Sequence, residues 1–367
     1  MTAATLVACT STSQQTAPGP VPEVAAARAP IEPTGPMPGV KTPVALRLRI
    51  KLPTAPEVVA WAPGGARLVV GDDRGALQIL DARTGLPVHD LGRFPMRVTG
   101  LAVSETRVAA AGSTDLRIWS AATGALERER HDHKELMPDL RFVGEELLAV
   151  DLRNMLLRWD LRGGQAVKIE VPTLHALALA IEPNGAGLAI GGYGNVELID
   201  VPGGARRFKL EMPNCSTAPK DLLCAVWREV EIEEFPSEDD DTRMTYKAMK
   251  PNWQVSDLAF SADGTRLALG RSDGIAVVID VATGKPIARF DAGHGKRAVV
   301  ALTADGGTLA MGDGDGYLAV WDLSSRREIR VVYEPYQIVG CLAFSADDTA
   351  LAAGGPGASV TIWDLGR

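Results

Sequence analysis

The stretch SADGTRLALGRSDGIAVVIDVATGK, Ser261 to Lys285, holds an Asp-Gly turn, an apolar run, a second Asp-Gly turn, another apolar run and a Thr-Gly turn. Consecutive antiparallel strands read this way. The pattern recurs along the chain. Aligned on the first turn, the clearest copies are AFSADGTRLALG from Ala259, ALTADGGTLAMG from Ala301 and AFSADDTALAAG from Ala343. AWAPGGARLVVG from Ala60 and AIEPNGAGLAIGG from Ala180 are looser copies. LAVSETRVAAAG from Leu101 and LRFVGEELLAV from Leu140 have shortened turns. Each copy is followed by a further strand and a stop marked by Asp81, Ser120, Asp160, Asp200, Asp280, Asp322 or Asp364. These markers are 39, 40, 40, 80, 42 and 42 residues apart. A period near 40 with four short strands per unit points to blades stacked in a ring.

A four-stranded blade is apolar on both faces, and stacking in a closed ring buries both. The fold expected is all-β, a seven-bladed β-propeller. No fourth apolar run follows TIWD at 361–364, so the last blade needs its outer strand from elsewhere. VALRLRIKLP, from Val44 to Pro53, supplies it, with Leu46, Leu48, Ile50 and Leu52 on one face and Arg47, Arg49 and Lys51 on the other. That alternation marks a half-buried strand, and cations suit an exposed sheet edge. The ring is therefore expected to close by pairing this strand with 360–363.

Residues 44–367 resemble the WD-repeat β-propeller family. Trp119, Trp159, Trp321 and Trp363 stand at the family's Trp position, with Leu80, Ile199 and Ile279 at the same place in other repeats. Asp273 and Asp315 match the family's turn Asp, and Gly293-His294 its opening dipeptide. In the sixth repeat His294, Asp315 and Trp321 match the hydrogen-bonded tetrad, while Met311 replaces its hydroxyl. A quinoprotein-type propeller, whose repeats also carry Asp-x-x-Thr-Gly, is the alternative. The Trp-Asp endings favour the WD-repeat reading.

Two segments fall outside the ring pattern. The 80-residue step contains an insertion between blades 4 and 5, residues 215–254, with nine acidic and five basic residues. It carries half of the net charge of −8, and reads either as a solvated hairpin or as a docking arm for a cationic partner. Residues 1–43 hold eight of the 24 prolines and no Phe, Tyr or Trp, the composition of a tail or tether. Within it LVAC, Leu6 to Cys9, fits the bacterial lipobox, whose Cys becomes the acylated first residue of a lipoprotein. A leader longer than the eight residues before Cys9 is then expected upstream. The expected address is the cell envelope, lipid-anchored and facing the periplasm; without processing at Cys9 it is cytoplasmic. An oxidising compartment would permit a Cys215–Cys224 disulfide, with Cys341 a buried thiol.

The acidic balance argues against nucleic acid as a partner. Catalytic signals are weak. His131 and His133 in HDHKE have no clear third metal ligand. GDGDG at 312–316 is followed by a strand rather than a helix, and ATGK at 282–285 lacks the glycine spacing of a phosphate loop. No Gly-x-Ser-x-Gly elbow occurs. No cofactor, metal or catalytic residue is therefore expected. The expected function is a monomeric, non-catalytic scaffold binding protein or peptide. The competing class is a propeller enzyme or ligand-binding protein with a site at the central channel. On the rim that gathers the inter-blade connections, the candidate contacts are Asp73, Arg74, Arg93, Phe94, Arg97, Arg153, Tyr193, Arg271, Lys296 and Tyr333. Arg and aromatic side chains are favoured at binding hot spots.

Overall fold

A computed structural model describes residues 7–8, 45–112, 114–131, 136–151, 155–164, 166–170, 176–201, 203–211, 253–291, 296–325, 327–333 and 338–366. The expectations at Cys9, Cys215, Cys224, Arg153, His133, His294 and nearly all of 215–254 lie outside them, as does the 1–43 tail except for Val7–Ala8.

The structure is all-β, and its strands form seven antiparallel sheets. The first blade runs from the channel outward as Pro56–Trp61, Arg67–Asp72, Ala76–Asp81 and Pro87–Arg93. Blade 5 repeats the order with Val255–Phe260, Arg266–Arg271, Ile275–Asp280 and Lys285–Asp291. Inner strands such as Val98–Val103 and Ala298–Leu302 are buried along their whole length, so alternation of polar and apolar residues is absent there. They face neighbouring blades on both sides.

Blade ends explain the marker residues. Asp81 Oδ1 accepts hydrogen bonds from Arg83 N at 3.0 Å, Thr84 N at 2.8 Å and Thr84 Oγ1 at 2.8 Å. Asp280 holds Thr283 in the same way. The next residues, Gly85 and Gly284, sit at φ 73° and 67°, a region that costs an L side chain strain.

The ring closes as expected. Ala45–Lys51 pairs antiparallel with Ser359–Asp364, placing Ile50 opposite Val360 and Leu46 opposite Trp363. One detail differs: the register slips between Leu46 and Leu48, and Leu46 is turned out, 55% exposed. A bulge inserts one residue and shifts the alternation, and Arg47 there pairs with Asp364. Val7–Ala8 forms a short antiparallel pairing with Val58–Val59 on the innermost strand of blade 1. No helix among the described residues is long and apolar enough to cross a membrane.

Candidate functional site: upper rim and central channel

The upper rim collects the turns between second and third strands and the connections from one blade to the next. In blade 1 the turn is organised by Asp72, whose Oδ1 accepts from Arg74 N at 2.9 Å and Ala76 N at 2.7 Å. Asp313 does the same in blade 6 for Asp315 N at 2.9 Å and Tyr317 N at 3.0 Å. The carboxylate closing this turn is therefore Asp313, two residues before the Asp315 singled out in the sequence.

The rim candidates separate into distinct groups. Asp73, Arg74 and Arg93 are exposed together on blade 1, where Arg93 Nη1 donates to the Arg74 carbonyl at 2.9 Å. Arg97 is half-buried beside them, and the neighbouring Met96, missed by the sequence reading, is 58% exposed. Phe94 is a correction. It is only 2% exposed, meets Trp119 edge-on at 6.0 Å and lies under the Arg117 guanidinium at 4.8 Å. Its backbone N donates to Gly75 O at 2.8 Å. A Cβ on Gly112 would approach the Phe94 ring to 2.7 Å. Phe94 is thus a wedge between blades 1 and 2, unavailable to a partner.

A second group surrounds the root of the insertion. Tyr193 is 52% exposed and bridges to Gln254. Arg271 is also corrected, because it is buried: it pairs with Asp273 (Nε to Oδ1 2.9 Å) and lies 4.2 Å over the Trp253 ring. It anchors the chain leaving the insertion rather than facing outward. Lys296 is exposed. Tyr333 ends the outer strand of blade 6, in register with Tyr317. His131 Nδ1 lies 2.9 Å from Asp115 Oδ1, which raises the pKa of the imidazole. No group of three or more metal-ligating side chains occurs among the described residues.

The channel holds charges that the sequence reading did not select. Asp139 and Asp257 occupy the same repeat position on the inner strands of blades 3 and 5. Asp139 Oδ2 accepts from Ile181 N at 2.7 Å, and Asp257 Oδ2 from Val300 N at 2.8 Å. Each carboxylate therefore satisfies a backbone N–H on the next blade's inner edge, which has no further strand to bond. Burial pushes Asp139 up to about 6, against the pull of Arg141. Burial likewise pushes Asp257 up to about 7, with the charge of Asp139 adding to the rise. Blades 3 and 5 are not neighbours, so the Asp139 charge reaches Asp257 from beyond the blade between them. Arg297 faces Asp257 and Glu57, and burial lowers both its pKa and that of Arg141. The signal was present in VSDLAF and PDLRFV: a carboxylate in the middle of an inner-strand segment.

Two family models match. The WD40 domain of anaphase-promoting complex subunit 4 matches residues 219–304, and the WD domain, G-beta repeat, matches residues 327–364. Seven four-stranded blades, three of them ending in Trp-Asp (Trp159-Asp160, Trp321-Asp322 and Trp363-Asp364), accompany these matches. The chain is a WD-repeat β-propeller. No curated protein matches it. Among solved structures it is similar to the β-propeller domain of Cps50 (Swd1) from Myceliophteria thermophila, with TM-score 0.67 and 16% identity. That likeness covers 88% of this chain and 100% of the other, and it speaks for the WD-repeat fold alone.

Proposed function

We propose that this WD-repeat propeller is a non-catalytic scaffold whose upper rim binds a protein partner. The observation that carries the reading is the division of labour among its polar groups. The channel carboxylates Asp139 and Asp257 are spent on inter-blade hydrogen bonds, while Arg74, Arg93, Met96 and Tyr193 stand exposed on the rim. WD-repeat propellers generally act this way, and one matching family model is named for a subunit of a complex. The chain leaves blade 4 after Glu211 and re-enters at Trp253, beside Tyr193 of this rim. The charge of the acidic insertion between them suits a basic partner, with electrostatics setting the association rate and salt weakening it. Removing 216–250 while keeping Trp253 tests this. Capture of a basic partner by the full chain, lost on deletion and at high salt, is the expected result. A partner list unchanged by the deletion returns the insertion to a solvated loop.

One observation favours a second reading, a channel enzyme: two buried carboxylates with raised pKa values are the raw material of acid–base chemistry. Turnover abolished by Asp257→Asn in a folded protein would establish it.

The envelope address is also proposed, on the lipobox at Cys9. Processing ahead of Cys9 would remove Val7–Ala8 and with it the pairing to Val58–Val59. The two states therefore exclude each other in one molecule.

A further inference from the structure

The shortened turn of the second repeat has a structural consequence on the lower rim. In blade 5 six residues separate Phe260 from Leu267, and the same count holds between Leu302 and Leu309 in blade 6. Arg266 of blade 5 closes that seam by donating to Gly306 O in the turn of blade 6. In blade 2 only SETR separates Val103 from Val108, two residues fewer. Arg67, the counterpart of Arg266, has no such turn to meet and donates through Nη1 to Ala121 O at 2.9 Å. A cleft of about 280 Å³ opens at this seam. Its floor is Val69, Ile79 and Val108, its flank includes Val103 and Ala121, and it leads onto the core shared by blades 1 and 2. Arg67 and the exposed Glu105 also line it. Among the described residues, neither the Nε and Nη2 donors of Arg67 nor the Glu105 carboxylate has a hydrogen-bond partner.

We infer that this cleft binds the C-terminal residue of a partner polypeptide when that residue is aliphatic. The complementarity is chemical. A chain end offers a carboxylate to the guanidinium, a pairing that Arg favours through its planar array of donors. Its last amide N–H is the donor that Glu105 lacks. Its aliphatic side chain fills the cleft above Val69, Ile79 and Val108, which are already buried, so the apolar area removed from water is the ligand's own. An internal peptide segment has no carboxylate at that point, and a free amino acid would bring an ammonium group in place of the amide. The inference rests on the scaffold reading, but on a different face from the upper rim.

The test uses the full chain, with methyl-labelled Ala and Val, titrated with acetyl-Gly-Leu and with its C-terminal amide. Saturable shifts at Val103 and Ala121 are expected with the acid, and about tenfold weaker binding with the amide. Arg67→Met should erase that preference. Replacing SETR by SADGTR, which restores the long turn, should abolish binding while the melting transition is retained. Equal binding of acid and amide would overturn the inference, as would no saturation, or binding unchanged by the longer turn. Free leucine binding as tightly as acetyl-Gly-Leu would also overturn it, by making the cleft an amino-acid site. If the lengthened-turn protein fails only with the dipeptide but keeps its rim partner, the cleft and rim readings stand separately. If native protein ignores the dipeptide yet captures that partner, only the cleft inference falls.

Discussion

Asp257 sits in the middle of the buried inner strand Val255–Phe260, and its carboxylate accepts from Leu258 N of its own strand and from Val300 N of the next blade's inner strand. Its folded pKa, about 7, stands well above the ordinary carboxylate value, because burial outweighs the help of Val300 N–H and Arg297. The sign of the consequence follows from linkage. A raised carboxylate pKa contributes stability that is complete below about pH 4 and is lost as pH rises through the folded value. Asp139 acts in the same direction with its value near 6, while Glu57, Arg141 and Arg297 complete the charges facing the pair. Asp257→Asn keeps an acceptor for Val300 N–H and removes the titration. The fall in melting temperature between pH 5 and pH 8 should shrink by about 1–2 °C for each kcal/mol of linkage removed. An unchanged pH profile would show that Asp257 is not the group responsible. At Phe94 the residue scale also decides a role. Phe94→Ala should cost about 3–5 kcal/mol, read as a lower denaturant midpoint, since the ring fills space that Gly112 leaves open.

The closing strand is the element on which the ring depends. Ala45–Lys51 contributes buried Ile50 and half-buried Leu48 to blade 7, and covers the edge of Ser359–Asp364. A chain starting at Pro53 would bare that edge, which templates pairing with other sheets. Burial of such side chains is worth about 1.5–3 kcal/mol each, so the truncation should lower the melting temperature by on the order of 5–10 °C. It should also promote association, visible by light scattering. A monomeric truncation of native stability would mean that blade 7 does not need this strand. The strand was legible from its alternation, but the slip at Arg47 was not. Strand twist and the fit to Trp363 decide where a bulge falls, and neither is written in the period of two.

At the scale of the whole molecule, the ring sets which groups are available to partners. The rim places Arg74 and Arg93 together on one blade, while Tyr193 stands three blades away beside the insertion. A partner engaging both must span the face. The tail raises the question of address. If Cys9 is processed as a lipoprotein cysteine, mass spectrometry of envelope protein should find a diacylated Cys9 at the N-terminus and no peptide containing Val7–Ala8. A chain retaining Met1 in the soluble fraction would overturn that proposal. Cys341 takes no part in such chemistry, since burial pushes its thiol up to about 12 and keeps it protonated.

What the sequence alone determined is what repetition and local chemistry encode. The period near 40 carries the blade count, because each blade must bury the same two faces. Asp81, Asp280 and their following glycines encode the turns, because those bonds lie within four residues of one another. The alternating strand at Ala45–Lys51 encodes the closure. What only the tertiary structure decided are contacts between blades, made by residues far apart in the chain. Phe94 is buried because Gly75 and Gly112 make room for it, Arg271 because Trp253 and Asp273 cover it. The Asp139–Asp257 coupling exists because the ring brings two non-adjacent blades to one axis. The shortened turn was visible as a missing pair of residues, yet its cleft arises only where the neighbouring blade's Arg67 finds nothing to close against.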